Sequence, residues 1–108
     1  MEASKRKHVI ISPQAKADIE SVIFYLQQNW NQKVIDKFLL KIETFCTIVS
    51  IHPHIFGYYS KSRNIRNYAI TKQHVIYYRS KRNAVEIITL FDCRQSPSKL
   101  RKLLPKNR

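Results

Sequence analysis

Two stretches in the first half of the chain carry apolar residues at helical spacing. The first is Ala15, Ile19, Val22, Ile23, Leu26 and Trp30, and the second is Ile35, Phe38, Ile42, Phe45, Cys46 and Val49. Steps of three and four residues place each set on one face of an α-helix. Ser12 before Pro13 and Asn31 before the second stretch are N-cap signals, and Pro53 is a stop signal. The pattern predicts an antiparallel helix hairpin with one shared apolar side, and we expect both stripes to pack in the core.

Four shorter segments have the β-branched and aromatic content of strands. They are residues 8–11, 64–70, 74–80 and 84–91. Short polar breaks separate the last three, which predicts an antiparallel meander. Ser96 and Pro97 then predict a short helix over 97–104. The order β-α-α-β-β-β-(α) predicts an α+β domain in which an antiparallel sheet packs against the N-terminal helix hairpin. We expect one domain over residues 8–104, with basic tails at 1–7 and 105–108.

Positive charge is in large excess and is unevenly distributed. The 108 residues include 20 Lys and Arg against 7 Asp and Glu, a formal net charge of +13. From residue 61 onward there are 13 basic and 2 acidic residues, against 7 and 5 in the first 60. A field of this kind predicts an anionic partner, with nucleic acid or an acidic protein favoured over anionic lipid, rather than a merely solvated face.

Several classes of function are disfavoured by what the chain lacks. A single glycine cannot build a P-loop or a dinucleotide-binding turn. Two cysteines, Cys46 and Cys93, cannot form a disulfide framework, and Cys46 is expected in the core. His52 and His54 with Cys46 match no structural zinc spacing, so we expect no metal and no cofactor. No apolar run approaches the roughly 18 residues needed to span a bilayer, and we expect a cytoplasmic protein without a membrane partner.

The strands carry Arg, Tyr and His side chains that could bind an anionic ligand. Alternation predicts that Arg66 and Tyr68 share one face of their strand, and that His74 and Tyr78 share one face of the next. The expected target-binding or RNA-binding set is Arg66, Tyr68, Arg79, Arg94 and Lys99, and the catalytic candidates are Arg66, Arg94, His74 and Tyr78. We also expect at least two of Tyr68, Tyr77 and Tyr78 to be half-buried, as strand aromatics usually are.

Arg94 lies in the segment LFDCRQSPSKL, residues 90–100, between the last strand and the last helix. Capping explains the serine and proline of this segment but gives no role to an arginine. Asp92 could pair with Arg94, and an exposed pair of that kind is worth only about 0–1 kcal/mol. We therefore expect Arg94 to face a target or a carboxylate of a partner.

The helix opening SPQAKADIESVIFYL, the HP dipeptide after the second helix and the strand series up to RQSPSKL resemble the RelE/ParE superfamily. These proteins are the toxin halves of bacterial type II toxin–antitoxin modules. The resemblance covers residues 8–104. It implies growth arrest and a small acidic antitoxin as partner. It also implies one of two targets, because RelE-like members cut messenger RNA in the ribosomal A site without metal, whereas ParE-like members poison DNA gyrase.

The RelE-like site is only half present when its positions are matched to this sequence. Arg66 and Arg94 match two basic positions. The other three positions carry Tyr68 and Val75 where basic residues are expected, and Leu100 where the C-terminal Tyr is expected. Losing a proton-transferring residue costs a factor on the order of 10²–10⁴ in rate.

These departures favour the ParE-like interpretation, a toxin that acts on DNA gyrase. The alternative is a RelE-like, ribosome-dependent endoribonuclease in which His74 or Tyr78 replaces the missing residue. A second alternative is a non-toxic basic module that binds RNA or DNA. Whether the protein is an enzyme therefore stays open at this point.

Overall fold

A computed structural model describes residues 6–106 as a five-stranded sheet with three helices. The helices are α1 (Pro13–Asn29), α2 (Gln32–Ile51) and α3 (Pro97–Leu103), and the strands are β1 (His8–Ile11), β2 (Tyr58–Ser60), β3 (Ile65–Ala69), β4 (His74–Ser80) and β5 (Ala84–Asp92). The sheet order is β1-β5-β4-β3-β2, with β1 parallel to β5 and the other neighbours antiparallel. The predicted α+β class is confirmed. No helix among these residues is long and apolar enough to cross a membrane.

The helices begin where the sequence places their caps. Ser12, Asn31 and Ser96 precede α1, α2 and α3, and each side-chain oxygen accepts a hydrogen bond from the backbone N–H three residues further on. A cap of this kind satisfies one of the backbone donors that the first turn leaves without an intrahelical partner. Proline at the first position of α1 and α3 loses nothing, because its missing N–H would have been one of those donors.

Trp30 departs from the predicted core stripe. It is the C-cap residue of α1, its backbone is extended, and its side chain is 60% exposed. Its N–H still donates to the Leu26 carbonyl at 2.7 Å, so the helix ends at this residue. Once the backbone is extended, the 3.6-residue period no longer places the side chain on the apolar face. The prediction that Trp30 packs in the core is therefore wrong.

Both faces of the sheet are covered. On one face, α2 contributes Phe38, Ile42 and Phe45 to a core that also contains Ile76 and Tyr78 of β4. A second core lies around α3, whose residues Leu100 and Leu104 pack with Ile65, Tyr77, Ile88 and Phe91. Tyr77 and Tyr78 are both buried, which confirms the expectation for two of the three strand tyrosines, whereas Tyr68 is 42% exposed.

Two strands differ from the prediction. The three-residue strand β2 was not predicted, because a strand this short shows no alternation that a pattern could detect. β1 joins the sheet parallel to β5, so the sheet is not wholly antiparallel. The predicted basic tails lie largely outside the described residues, but Lys7 is described and is anchored: its N–H donates to the Ser50 carbonyl at 2.9 Å.

β5 contains a bulge that α1 completes. Tyr77 pairs with Thr89 and Tyr78 pairs with Ile87, so Ile88 is an extra residue in β5. The Asp18 carboxylate of α1 accepts hydrogen bonds from the Thr89 hydroxyl and, at 3.0 Å, from the next backbone N–H. β1 pairs with β5 only as far as Ile87 and so provides no acceptor beyond that residue. The helix supplies the missing acceptor instead.

We expect Asp18→Ala to lower the free energy of unfolding by about 1.5–3 kcal/mol, because hydrogen bonds to a charged group are worth about that much. Asp36→Ala is a matched control. Each aspartate accepts a hydrogen bond at 2.8 Å from a glutamine four residues earlier, but only Asp18 also bonds to the sheet. Urea unfolding of both variants measures the difference. Equal losses would contradict a special role for the bond to the bulge.

Candidate functional site

Three of the predicted site residues, His74, Arg94 and Lys99, line one cleft at the end of the sheet where β5 stops. The cleft has a volume of about 690 Å³ and lies between α1, the end of β5 and α3, and we call it the α1–α3 cleft. Tyr25 and Trp30 form part of its wall, and both are more than half exposed. The cleft therefore combines a histidine, two cations and two accessible aromatic rings.

Arg94 pairs with Asp92 inside this cleft. Its Nη2 lies 2.6 Å from Asp92 Oδ2 and its Nε lies 3.0 Å from Asp92 Oδ1, a two-pronged contact. The Arg94 backbone N–H also donates to Asp92 Oδ1 at 2.9 Å. These bonds lower the pKa of Asp92 from 3.8 to about 2. Arg94 was expected to face a target or a carboxylate of a partner, and that stays a prediction: in this structure its guanidinium pairs with Asp92 of the same chain, while 64% of its side chain stays exposed.

His74 is held by Thr71 and packs edge-on against Phe38 of α2, with the ring centres 6.2 Å apart. The Thr71 Oγ1 lies 3.0 Å from His74 Nδ1 and also accepts the backbone N–H groups of Gln73 and His74. Since that oxygen already accepts two N–H groups, its own hydrogen points at Nδ1, so neutral His74 carries its proton on Nε2. Burial lowers the pKa of His74 below its ordinary value of 6.5, an effect that Asp92 opposes and Arg94 reinforces. His74 is therefore neutral at pH 7.

Lys99, the second cation of the cleft, forms no ion pair among residues 6–106. Asp18 and Asp92 also line the cleft, so its two positive side chains face two carboxylates. The cleft is thus close to neutral, and it does not hold the pair of uncompensated arginines that a phosphate clamp would need.

Arg66 and Tyr78 are buried and serve the packing of the loop between α2 and β2. Arg66 is 8% exposed; its Nη1 donates to the Phe56 carbonyl at 2.7 Å, and its guanidinium lies 3.9 Å from the centre of the Tyr58 ring. The Tyr78 hydroxyl donates to the Pro53 carbonyl at 3.2 Å, and burial raises the pKa of this tyrosine. In this structure neither side chain is presented to a ligand, contrary to the expectation for both.

The sequence pattern selected the wrong face of β4 for Tyr78. Tyr78 lies on the face that the helix hairpin covers, where its ring meets that of Phe45 edge-on at 5.3 Å. Alternation separates two faces of a strand but does not say which is open. Since α3 covers part of the other face, Tyr77 and Tyr78 are both buried. The alternation of side chains therefore does not indicate which face of β4 is exposed.

The two remaining candidates lie apart from the cleft. Arg79 is 7% exposed, and its Nε lies 3.9 Å from Glu86 Oε1 across the β4–β5 pair. Tyr68 lines a second concavity, where its ring stacks on that of Phe56 at 4.1 Å. The predicted set therefore does not form one site: three members meet in the α1–α3 cleft, and the others are buried or lie elsewhere.

The second concavity is an apolar groove between α2 and β3, with a volume of about 450 Å³. It is lined by Lys37, Leu40, Lys41, Thr44, Phe45, Ile48, Tyr68 and Ile70, and we call it the α2 groove. Leu40 is 59% exposed there. Apolar lining with two lysines suits the apolar face of an acidic, amphipathic segment. Sequence analysis missed this groove, although Leu40 and Lys41 lie off the core stripe and could have marked it.

Cysteine and metal-ligating side chains do not add a site in the part of the chain that the structure describes. Within residues 6–106 no three His, Cys, Asp or Glu side chains are grouped so that they could hold a metal ion. Cys46 packs against the main core, and burial, with a smaller contribution from Glu43, raises the pKa of its thiol. A raised pKa leaves the thiol protonated and unreactive.

Comparison with known proteins gives one family and several related structures. A family model described as the ParE toxin of the type II toxin-antitoxin system, parDE, matches residues 9–97. The chromosomal ParDE TA system from P. aeruginosa is 12% identical, with 82% of this chain and 97% of that chain covered and a TM-score of 0.67. The YoeB dimer from Staphylococcus aureus is 23% identical over 80% and 95%, with a TM-score of 0.58.

The YoeB-YefM complex from Staphylococcus aureus contains a chain that is also 23% identical over 80% of this chain and 95% of that chain, with a TM-score of 0.55. At identities this low, the structural matches show a shared fold and nothing finer. No curated protein matches the chain.

We expect the Asp92 carboxyl to titrate with a midpoint near 2, and Arg94→Gln to raise that midpoint toward 3.8. Because the pKa of Asp92 is lower in the folded state, the stability it contributes is present above about pH 4 and is lost as the pH falls toward 2. Carboxyl-carbon NMR measures the titration directly. Arg101→Gln removes an exposed cation from α3 and should leave the midpoint unchanged. A wild-type midpoint near 4 would show that the pair does not persist in solution.

Proposed function

The chain belongs to the family of ParE toxins of type II toxin–antitoxin systems, and we propose that it arrests bacterial growth by poisoning DNA gyrase. We further propose that a small acidic antitoxin neutralises it. The family model spans 9–97, nearly the whole described chain.

Leu100 is the observation that favours gyrase poisoning over RNA cleavage. It stands where RelE-like toxins have the C-terminal Tyr, and it is 7% exposed in the core beneath α3. An apolar, buried side chain can neither take nor give a proton, and that loss alone costs a factor on the order of 10²–10⁴ in rate. Arg66, which matches a basic position of the RelE-like site, is buried and donates to backbone carbonyls. The residues that would cleave RNA are thus replaced or engaged in packing.

One observation favours the RelE-like alternative. His74, Arg94 and Lys99 share the α1–α3 cleft, and the lowered pKa of His74 leaves its imidazole neutral and able to accept a proton at pH 7. In that case His74 would act as general base, while Lys99 and Arg94 would contact phosphate. The Asp92–Arg94 pair argues against it, because a bound phosphate would have to compete with a carboxylate that already holds the guanidinium.

The α2 groove supports an acidic antitoxin as the partner. Its apolar floor includes Phe45, Ile48 and Ile70, and Lys37 and Lys41 also line it. An amphipathic segment can bury its apolar face there while its carboxylates pair with the lysines. The net charge of +13 would also speed the encounter with an acidic chain. Among the structural relatives, a YoeB-YefM complex is described as a toxin–antitoxin assembly.

We expect the purified protein to inhibit supercoiling by gyrase and to leave ribosome-bound messenger RNA intact. His74→Gln should retain full toxicity, because gyrase poisoning needs no proton transfer by this side chain. A RelE-like enzyme would instead cleave messenger RNA on programmed ribosomes. The His74→Gln substitution would then lower the cleavage rate by a factor on the order of 10²–10⁴. Both assays use one preparation. Normal growth of bacteria that express the soluble protein without a partner would contradict the toxin proposal itself.

We expect Leu40→Glu to weaken the complex with the antitoxin at least tenfold, which corresponds to about 1.4 kcal/mol. The substitution places a carboxylate among the apolar side chains that would receive the partner. Leu39→Glu is the control, since Leu39 is the neighbouring residue of α2, is 40% exposed and does not line the groove. Titration calorimetry with the protein encoded beside the toxin measures both affinities. Equal affinities of the two variants would place the antitoxin elsewhere.

A further inference from the structure

Three separate segments meet at the end of the sheet opposite the α1–α3 cleft. They are residues 6–7, which precede β1, the turn 61–64 between β2 and β3, and the turn 81–83 between β4 and β5. Their cationic side chains are Arg6, Lys7, Lys61, Arg63, Lys81 and Arg82, and we call this region the basic turn surface.

Ser80 ties these segments together. Its hydroxyl accepts a hydrogen bond from Lys7 Nζ at 2.7 Å, and its carbonyl accepts one from Asn64 Nδ2 at 2.9 Å. Lys7 Nζ also donates to the Lys81 carbonyl at 2.5 Å. Asn64 has φ of 59°, a left-handed conformation that asparagine tolerates better than most residues. The cations of this surface are therefore held on a defined scaffold rather than on a loose tail.

Positive charge at this surface is poorly compensated. Glu86 is the carboxylate that meets it, with Oε1 at 3.2 Å from Lys81 Nζ and 3.9 Å from the buried Arg79 Nε. Lys61, Arg63 and Arg82 form no ion pair among residues 6–106. Like charges held close together repel one another and oppose folding. An anionic ligand would relieve that repulsion.

We propose that the basic turn surface binds the phosphodiester backbone of nucleic acid. The two turns read KSRN and KRN, so their tips offer Lys, Arg, Ser and Asn, the side chains that most often donate to phosphate oxygens. A protein partner would draw most of its affinity from apolar anchors in pockets, which these polar tips do not supply.

This surface is distinct from both regions used in the proposed function. His74 begins β4 and Ser80 ends it, so at about 3.3 Å per residue the basic turn surface lies roughly 20 Å from the α1–α3 cleft. The proposal therefore goes beyond gyrase poisoning and antitoxin binding, and it assigns a nucleic-acid contact that could operate whichever target the toxin has.

Fluorescence anisotropy of the purified chain with a labelled, random-sequence duplex DNA tests the proposal, and single-stranded RNA of equal length forms a second arm. The triple variant Lys61→Gln, Arg63→Gln, Arg82→Gln removes three cations from the surface. The matched control Arg101→Gln, Lys102→Gln, Lys106→Gln removes the same charge from the α3 region. We expect the first variant to bind duplex at least tenfold more weakly, with a salt dependence reduced by about 0.9 in slope per lost phosphate contact. The control should bind within about threefold of the wild type.

Equal losses in the two triple variants would overturn the proposal, because only the overall field would then be acting. Wild-type protein that binds polyglutamate but neither nucleic acid would also overturn it and would mark an acidic protein site. Melting temperatures verify folding, and Arg82→Gln alone, with a severalfold loss expected, replaces the triple variant if that variant unfolds. The assay contains no gyrase, ribosome or antitoxin, so its failure leaves the toxin proposal untouched.

Discussion

The hydrogen bonds between α1 and the edge of β5 determine where the other elements lie. β1 accompanies β5 only as far as Ile87, and beyond that point α1 completes the edge of β5. The Ser12 hydroxyl donates to the Ile88 carbonyl, and the Asp18 carboxylate accepts from Thr89 and the residue after it. Because buried backbone groups must be paired, α1 cannot slide along β5 without losing these bonds. The short hairpin link fixes α2 relative to α1. The shapes of the α1–α3 cleft and the α2 groove therefore both depend on how α1 is bonded to β5.

Arginine side chains of this strongly basic chain occupy three kinds of environment. Arg66 is buried, where its Nη1 donates to the His54 and Phe56 carbonyls and its guanidinium lies over the Tyr58 ring. Arg94 is met by Asp92 in a two-pronged pair. Arg63 and Arg82 lie in turns and form no ion pair within the described residues 6–106. The turns at one end of the sheet therefore carry cations that form no ion pair among residues 6–106, and the cleft that holds His74 at the other end is close to neutral.

Local chemistry was sufficient for the three described helices, for four of the five described strands and for the family. The helix stripes repeat every three or four residues, and the caps at Ser12, Asn31 and Ser96 act within one turn of chain, so the sequence determined these helices to within a residue or two. The strands over 65–69, 74–80 and 84–92 were likewise predicted almost to their ends. The order of motifs along the chain also indicated the toxin family, and the family model that matches residues 9–97 confirms it.

Contacts between distant segments decided the rest. Asp18 and Thr89 are 71 positions apart, and no local pattern marks that carboxylate as the partner of a bulge. Arg66 and Tyr78 look like exposed ligand groups in sequence, and only the loop that folds over them makes them buried donors to carbonyls. The sequence determined which side chains alternate along each strand. The tertiary structure decided which face was open, because a sheet packed on both faces by apolar elements presents the same alternation from either side.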